Sequence, residues 1–117
     1  MIYDAAVPAI KLYVGPGFDS PVSARELLCG VEEEGVPCEV ELAKSDDAAG
    51  DLAFQAAEAS VLGVGVAVDK EGLAAVHYNK LPREKPLFTL NYRIDGDKLR
   101  GMASNAARLV KGMPFVL

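Results

Sequence analysis

The chain has 117 residues, 50% of them hydrophobic and 25% charged, and its 12 basic and 17 acidic side chains leave a formal net charge of −5. That length fits one compact domain, 1–117, which can bury a core without disulfide or metal staples. The apolar content is too high for disorder, and no run approaches the ~20 apolar residues that a membrane span requires. The Lys and Arg residues stand singly or in pairs, so phosphate neutralisation has no footing and nucleic acid is excluded as a partner class. No helix pattern carries the basic polar face of a membrane-surface segment. The opening Met1-Ile2-Tyr3-Asp4 lacks a positive region ahead of an apolar stretch, and the expected compartment is the cytosol.

In chain order, Ala9 to Val14 mixes β-branched and aromatic residues and is closed by Gly15-Pro16-Gly17, which predicts a strand ending in a turn. Ser20 before Pro21, and Ser23-Ala24-Arg25-Glu26 with capping-box spacing, both open one helix over 21–34. Its apolar positions Ala24, Leu27, Leu28 and Val31 share a face, and Gly35 supplies a left-handed C-terminal cap. Val36 to Ala43 alternates as a strand solvated on one face. Ser45-Asp46-Asp47 is expected to cap an alanine-rich helix with Ala49, Leu52, Ala53 and Ala56 on one side.

Val61 to Val68 is almost continuously apolar, as in a central strand covered on both faces. The turn Asp69-Lys70-Glu71-Gly72 then leads into Leu73–Tyr78, a returning strand. Leu81 to Pro86 is irregular, Leu87 to Tyr92 predicts a short strand, and Asp97 is expected to cap a last helix ending near Lys111-Gly112. The order β-α-β-α-β-β-β-α predicts a three-layer α/β/α sandwich around a mixed, mostly parallel sheet, because right-handed crossovers lay the helices on its faces.

Few residues carry chemistry. Cys29 and Cys38 lack C-x-x-C spacing and are expected as two small buried thiols. Gly63-Val64-Gly65 lies inside the apolar run instead of between a strand and a helix, without a full nucleotide fingerprint, and predicts close packing of a helix or partner chain. His77, the one histidine, stands beside an irregular loop, in a place expected to be exposed enough for binding. Glu32-Glu33-Glu34 crowds three carboxylates at the negative end of a helix dipole. A solvated acidic end accounts for this; so does a carboxylate aimed at a divalent cation or at a basic group of another chain. A good core without a convergent polar constellation favours an accessory subunit over an enzyme. The alternative is a small-molecule or nucleotide-binding α/β protein that uses His77.

The segment Glu26-Leu27-Leu28-Cys29-Gly30-Val31-Glu32-Glu33-Glu34-Gly35-Val36-Pro37 resembles the central motif of the small subunit of glycerol and diol dehydratase reactivating factors. Ala59-Ser60 with Leu62-Gly63-Val64-Gly65, His77 before Leu81-Pro82, Pro86-Leu87, Leu99-Arg100, and Ser104-Asn105-Ala106-Ala107-Arg108-Leu109-Val110-Lys111 continue the likeness in the same order. The resemblance implies an anticodon-binding-domain-like fold, similar to a domain of the dehydratase medium subunit, and a non-catalytic role. It implies a large ATPase subunit as partner in a heterotetramer, with ATP or ADP bound by that partner only. It further implies a coenzyme-B12-dependent dehydratase as client, from which damaged cobalamin is released by subunit exchange. In the family the second glutamate of the motif, here Glu33, reaches an interfacial Mg2+ held mainly by the large subunit. Glu34 departs from relatives that carry a neutral amide there. No cobalamin-binding residue carries over, and two further matters stay open: association with a bacterial microcompartment, and a role as a structural dehydratase medium-subunit homologue.

Overall fold

A computed structural model describes residues 7–115; the Met1–Asp4 stretch, on which the expectation of a cytosolic compartment rests, lies outside them. The elements are β1 (Ile10–Val14), α1 (Pro21–Glu33), β2 (Cys38–Leu42), α2 (Ala49–Ala59), β3 (Val64–Val68), β4 (Leu73–Tyr78), β5 (Phe88–Asn91), the short helix α3 (Tyr92–Asp95), a 3-10 turn over Gly96–Lys98, and α4 (Leu99–Lys111). The strands form one sheet in the order β2-β1-β3-β4-β5. β1 pairs in parallel with β2 and β3, while β4 is antiparallel to both neighbours. Four strands therefore run one way and β4 alone is reversed, as the hairpin through Gly72 requires.

Strand periodicity divides the side chains between two layers. Ile10, Leu12, Val64, Val66, Val68, Ala74 and Val76 pack under Leu27 and Val31 of α1 and Leu99, Met102, Ala103, Ala106 and Ala107 of α4. Ala67 and Ala75 face Ala49, Leu52 and Ala53 of α2. α2 lies close because Gly65 leaves room: a Cβ there would stand 2.3 Å from the backbone nitrogen of Ala57. On the opposite face, a Cβ on Gly30 would stand 2.3 Å from the carbonyl oxygen of Arg100, so α1 and α4 cross at that glycine.

Several local expectations shift. α1 starts as expected, with Pro21 in its first turn and the Ser20 hydroxyl accepting from the Ser23 amide at 3.3 Å, and Gly35 follows it at φ +77°. The α2 cap is different. Ala48 occupies the cap position without a side-chain bond, and the buried Asp69 carboxylate, 20 residues on, accepts from the Ala49 amide at 2.9 Å. Its other oxygen accepts from the amides of Glu71 and Leu73, so one side chain orders both the hairpin turn and the helix start.

Asp97 does not cap α4. It lies in the 3-10 turn, while Asn91 caps α3 by accepting from the Arg93 amide at 3.0 Å. The strand expected from Val61 begins only at Val64, because Gly63 takes φ +77° in the preceding turn. β2 is exposed on both faces, not one: it is an edge strand, with Leu42 72% and Val40 49% exposed.

Candidate functional site

The chemistry-bearing residues gather in two places, and the first is closed. His77 is fully buried on the α2 face of β4, with its ring edge-on to Phe54 at a centroid distance of 5.0 Å. Nε2 donates to the carbonyl of Arg83 at 3.0 Å, and Nδ1 accepts from the Tyr78 amide at 2.9 Å. Arg83 in turn donates to Asp51 at 3.0 Å and lies over the Phe54 ring. The imidazole thus pins the irregular loop onto α2. The expectation of an exposed His77 is overturned, and with it the binding site built on that residue: no ligand reaches a ring whose nitrogens are both occupied inside the core.

The second place is the seam where α4 runs beside α1. Sequence spacing puts Arg100, Ser104, Arg108 and Lys111 on one stripe of α4, at intervals of four, four and three. Opposite them, Arg100 donates to Glu26 at 2.6 Å and to Glu33 at 3.1 Å. Glu34 is more tightly held. Its carboxylate accepts from Ser104 at 2.7 Å, Arg108 at 3.1 Å and Lys111 at 3.0 Å, and its backbone carbonyl accepts from Lys111 at 2.7 Å. The Ser104 hydroxyl and then the Lys111 ammonium are the main causes that bring the Glu34 carboxyl down to about 2.

The crowding of carboxylates at the end of α1 is therefore compensated within the chain, by the basic stripe of α4. Charge crowding at this end does not by itself call for a metal. The Glu34 side chain is only 14% exposed, whereas that of Glu33 is 52% exposed and touches Arg100 through one oxygen. Among the described residues, no three His, Cys, Asp or Glu side chains are grouped to hold a metal ion. A cation at Glu33 would thus take one carboxylate from this chain and its remaining ligands from elsewhere. That fits Mg2+, which is bound through one or two carboxylates together with waters and phosphates.

The two cysteines are free and half-buried, less enclosed than expected. Burial, followed by the nearby Glu32 and Glu39 charges, pushes the Cys38 thiol up to about 12, which leaves it inert as a nucleophile. Among the described residues, no helix is long and apolar enough to cross a membrane.

The sequence profile of the dehydratase medium subunit matches residues 7–116. The diol dehydratase-reactivating factor small subunit of Klebsiella michiganensis is 44% identical over 110 residues, which cover 94% of this chain and 85% of that protein. The chain belongs to the family of dehydratase-reactivating factor small subunits. Two solved structures in that family share its fold. A glycerol dehydratase reactivase superposes with a TM-score of 0.89 at 33% identity, covering 94% of this chain and 97% of its own. A diol dehydratase-reactivating factor complexed with ADP and Mg2+ superposes with a TM-score of 0.85 at 43% identity, covering 96% of this chain and 100% of its own.

In this chain the α1–α4 seam is the part least legible in the sequence. The resemblance singles out Glu33, but nothing local in the sequence points to the partners of Glu26 and Glu34. The signal for them was present in the stripe of Arg100, Ser104, Arg108 and Lys111, which lines up only once α4 is laid against α1.

Proposed function

We propose that the chain is the exchangeable, non-catalytic small subunit of a reactivating factor that acts on a cobalamin-dependent diol or glycerol dehydratase. One observation carries this: nearly the whole chain matches both the dehydratase medium subunit, over 7–116, and, over 94% of its length, the small subunit of a diol dehydratase-reactivating factor. A protein shaped like a client's subunit can occupy that subunit's place. In this reading a large ATPase subunit pairs with the chain in a heterotetramer, binds ATP or ADP itself, and gains a grip on the dehydratase when the small subunits trade places. Loosening of the dehydratase then lets spent cobalamin leave. The chain works in the cytoplasm beside its client, within a bacterial microcompartment where the client is housed there.

The end of α1 faces the large subunit, and Glu33 gives one carboxylate to an interfacial Mg2+ that the partner holds in the main. The half-exposed position of Glu33 supports this, as does its single tie to Arg100. When bound, the cation supplies charge neutralisation at the subunit boundary. Glu34 fits that role poorly, because three donors already occupy its carboxylate.

Coexpression of the chain with a large reactivase subunit should give a heteromer on size-exclusion chromatography. Separate elution with and without ADP and Mg2+ would refute the reading. Glu33→Gln should weaken that heteromer in Mg2+ by roughly tenfold, the scale on which losing a charged ligand acts, and change it little in excess chelator. Equal affinities for both proteins under both conditions would remove Glu33 from the site.

A further inference from the structure

Arg100 lies between two carboxylates two helical turns apart on α1. Its Nη2 is 2.6 Å from Glu26 and its Nη1 is 3.1 Å from Glu33. Gly30, midway between them, creates the arrangement. With no side chain there, the backbone of α4 comes down onto α1 at Arg100, and the guanidinium is delivered to both carboxylates at once. The two arms are unequal. Glu26 makes the shorter contact and its side chain is 34% exposed, against 52% for Glu33. Arg100 is itself 45% exposed, and ion pairs as open as these rearrange at small cost. Letting go of Glu33 leaves the guanidinium paired with Glu26, so no charge is stranded.

From this geometry we infer that Arg100 is a placeholder for the interfacial cation: it occupies Glu33 in the free subunit, must give way to Glu26 alone on pairing, and by competing for Glu33 weakens the hold of that carboxylate on Mg2+. The inference rests on Glu33 being a metal ligand. It assigns neighbouring carboxylates opposite tasks, with Glu34 locked to α4 as structure and Glu33 held on a releasable tie. A small subunit that must leave one partner for another then carries its own substitute counter-charge, and Glu33 is not left bare while it travels.

The test is a Mg2+ titration of heteromer formation, followed by fluorescence anisotropy of the labelled small subunit with the large subunit present. Arg100→Met should lower the Mg2+ concentration at half-assembly by about two- to fivefold, the range set by exposed ion pairs. Its affinity for the large subunit in excess chelator should not change. Arg100→Lys, which keeps the charge, should stay within about twofold of wild type. Glu26→Gln leaves Arg100 with Glu33 as its one carboxylate and should raise the midpoint, which tests the idea without removing Arg100. An unchanged or raised midpoint for Arg100→Met, or an equal change with chelator and with Mg2+, would overturn the placeholder role. If Glu33→Gln leaves the Mg2+ dependence of assembly intact, the Glu33 reading fails first and this inference falls with it; if Glu33→Gln shifts it but the Arg100 and Glu26 variants do not, only the placeholder role fails.

Discussion

The two faces of the sheet are held by different physics. On the α2 face the closest contacts are between small residues: Ala53 and Ala56 of the helix lie so near Gly65 that their backbone stands where a Cβ would go, and Ala67 and Ala75 pack under the same helix. On the α1–α4 face the centre is aliphatic and the helices cross closely at Gly30, but the rim of the seam is tied by charge, through Arg100, Arg108 and Lys111. Small-residue packing tolerates no change of volume, because interiors are filled to crystal density. Charged seams are open to water, pH and competing ions. The closed face supplies rigidity, and the charged face leaves Arg100 and Glu33 half-exposed to solvent.

The sharpest way to break this comparison is to put one methyl group at a closed glycine and one at an open glycine. Gly65→Ala drives a Cβ into the α2 backbone and should cost about 3 kcal/mol or more in urea denaturation, at the severe end of overpacking. Gly101→Ala, on α4 with open space around it, should be neutral or stabilise by about 0.5–1 kcal/mol through helix propensity. If Gly65→Ala were as mild, the close approach of α2 would be wrong.

A smaller effect is expected at His77. His77→Leu leaves the Arg83 carbonyl without its donor and removes the edge contact with Phe54. The cost should be about 2–3 kcal/mol, with hydrogen exchange rising first in the 79–86 loop. Uniform loss of protection across the fold would deny that His77 acts as a local pin.

The smallest effect, and the one specific to the charged face, depends on pH. The Glu34 carboxyl sits near 2 in the folded chain, below its ordinary value of 4.5. Its contribution is therefore present above about pH 4.5 and is lost as pH falls toward 2. The stability gap between wild type and Glu34→Gln should be constant above about pH 5 and should close toward pH 2. A gap independent of pH over that range would mean that Glu34 is not held by Ser104 and Lys111.

Much of the architecture was legible in the sequence because it depends on local period and local caps. The apolar spacing of Leu27 and Val31, the Ser20-Pro21 start and the Gly35 stop place α1, and the unbroken apolar run of β3 marks a strand covered on both faces. Where a residue's partner is distant in the chain, local pattern was misleading. Asp46 and Asp47 look like the cap of α2, but Asp69 supplies it after the hairpin folds back. His77 looks available beside a loop, but that loop turns inward so that the Arg83 carbonyl takes Nε2, while the Tyr78 amide of β4 itself takes Nδ1.

The sequence by itself determined the five strands and the three long helices, though not the short α3, together with the layered α/β class and the family, since periodicity, capping residues and motif order are properties of neighbours along the chain. Only the tertiary structure decided which charges meet. The carboxylates of α1 and the basic stripe of α4 are separated by some 70 positions, as in the Glu34 pairs with Ser104 and Arg108, and no local rule joins them. Their pairing follows from a long-range fact: α4 returns to cross α1 at Gly30, and hydrogen bonds and ion pairs form only between groups that packing brings within about 3 Å.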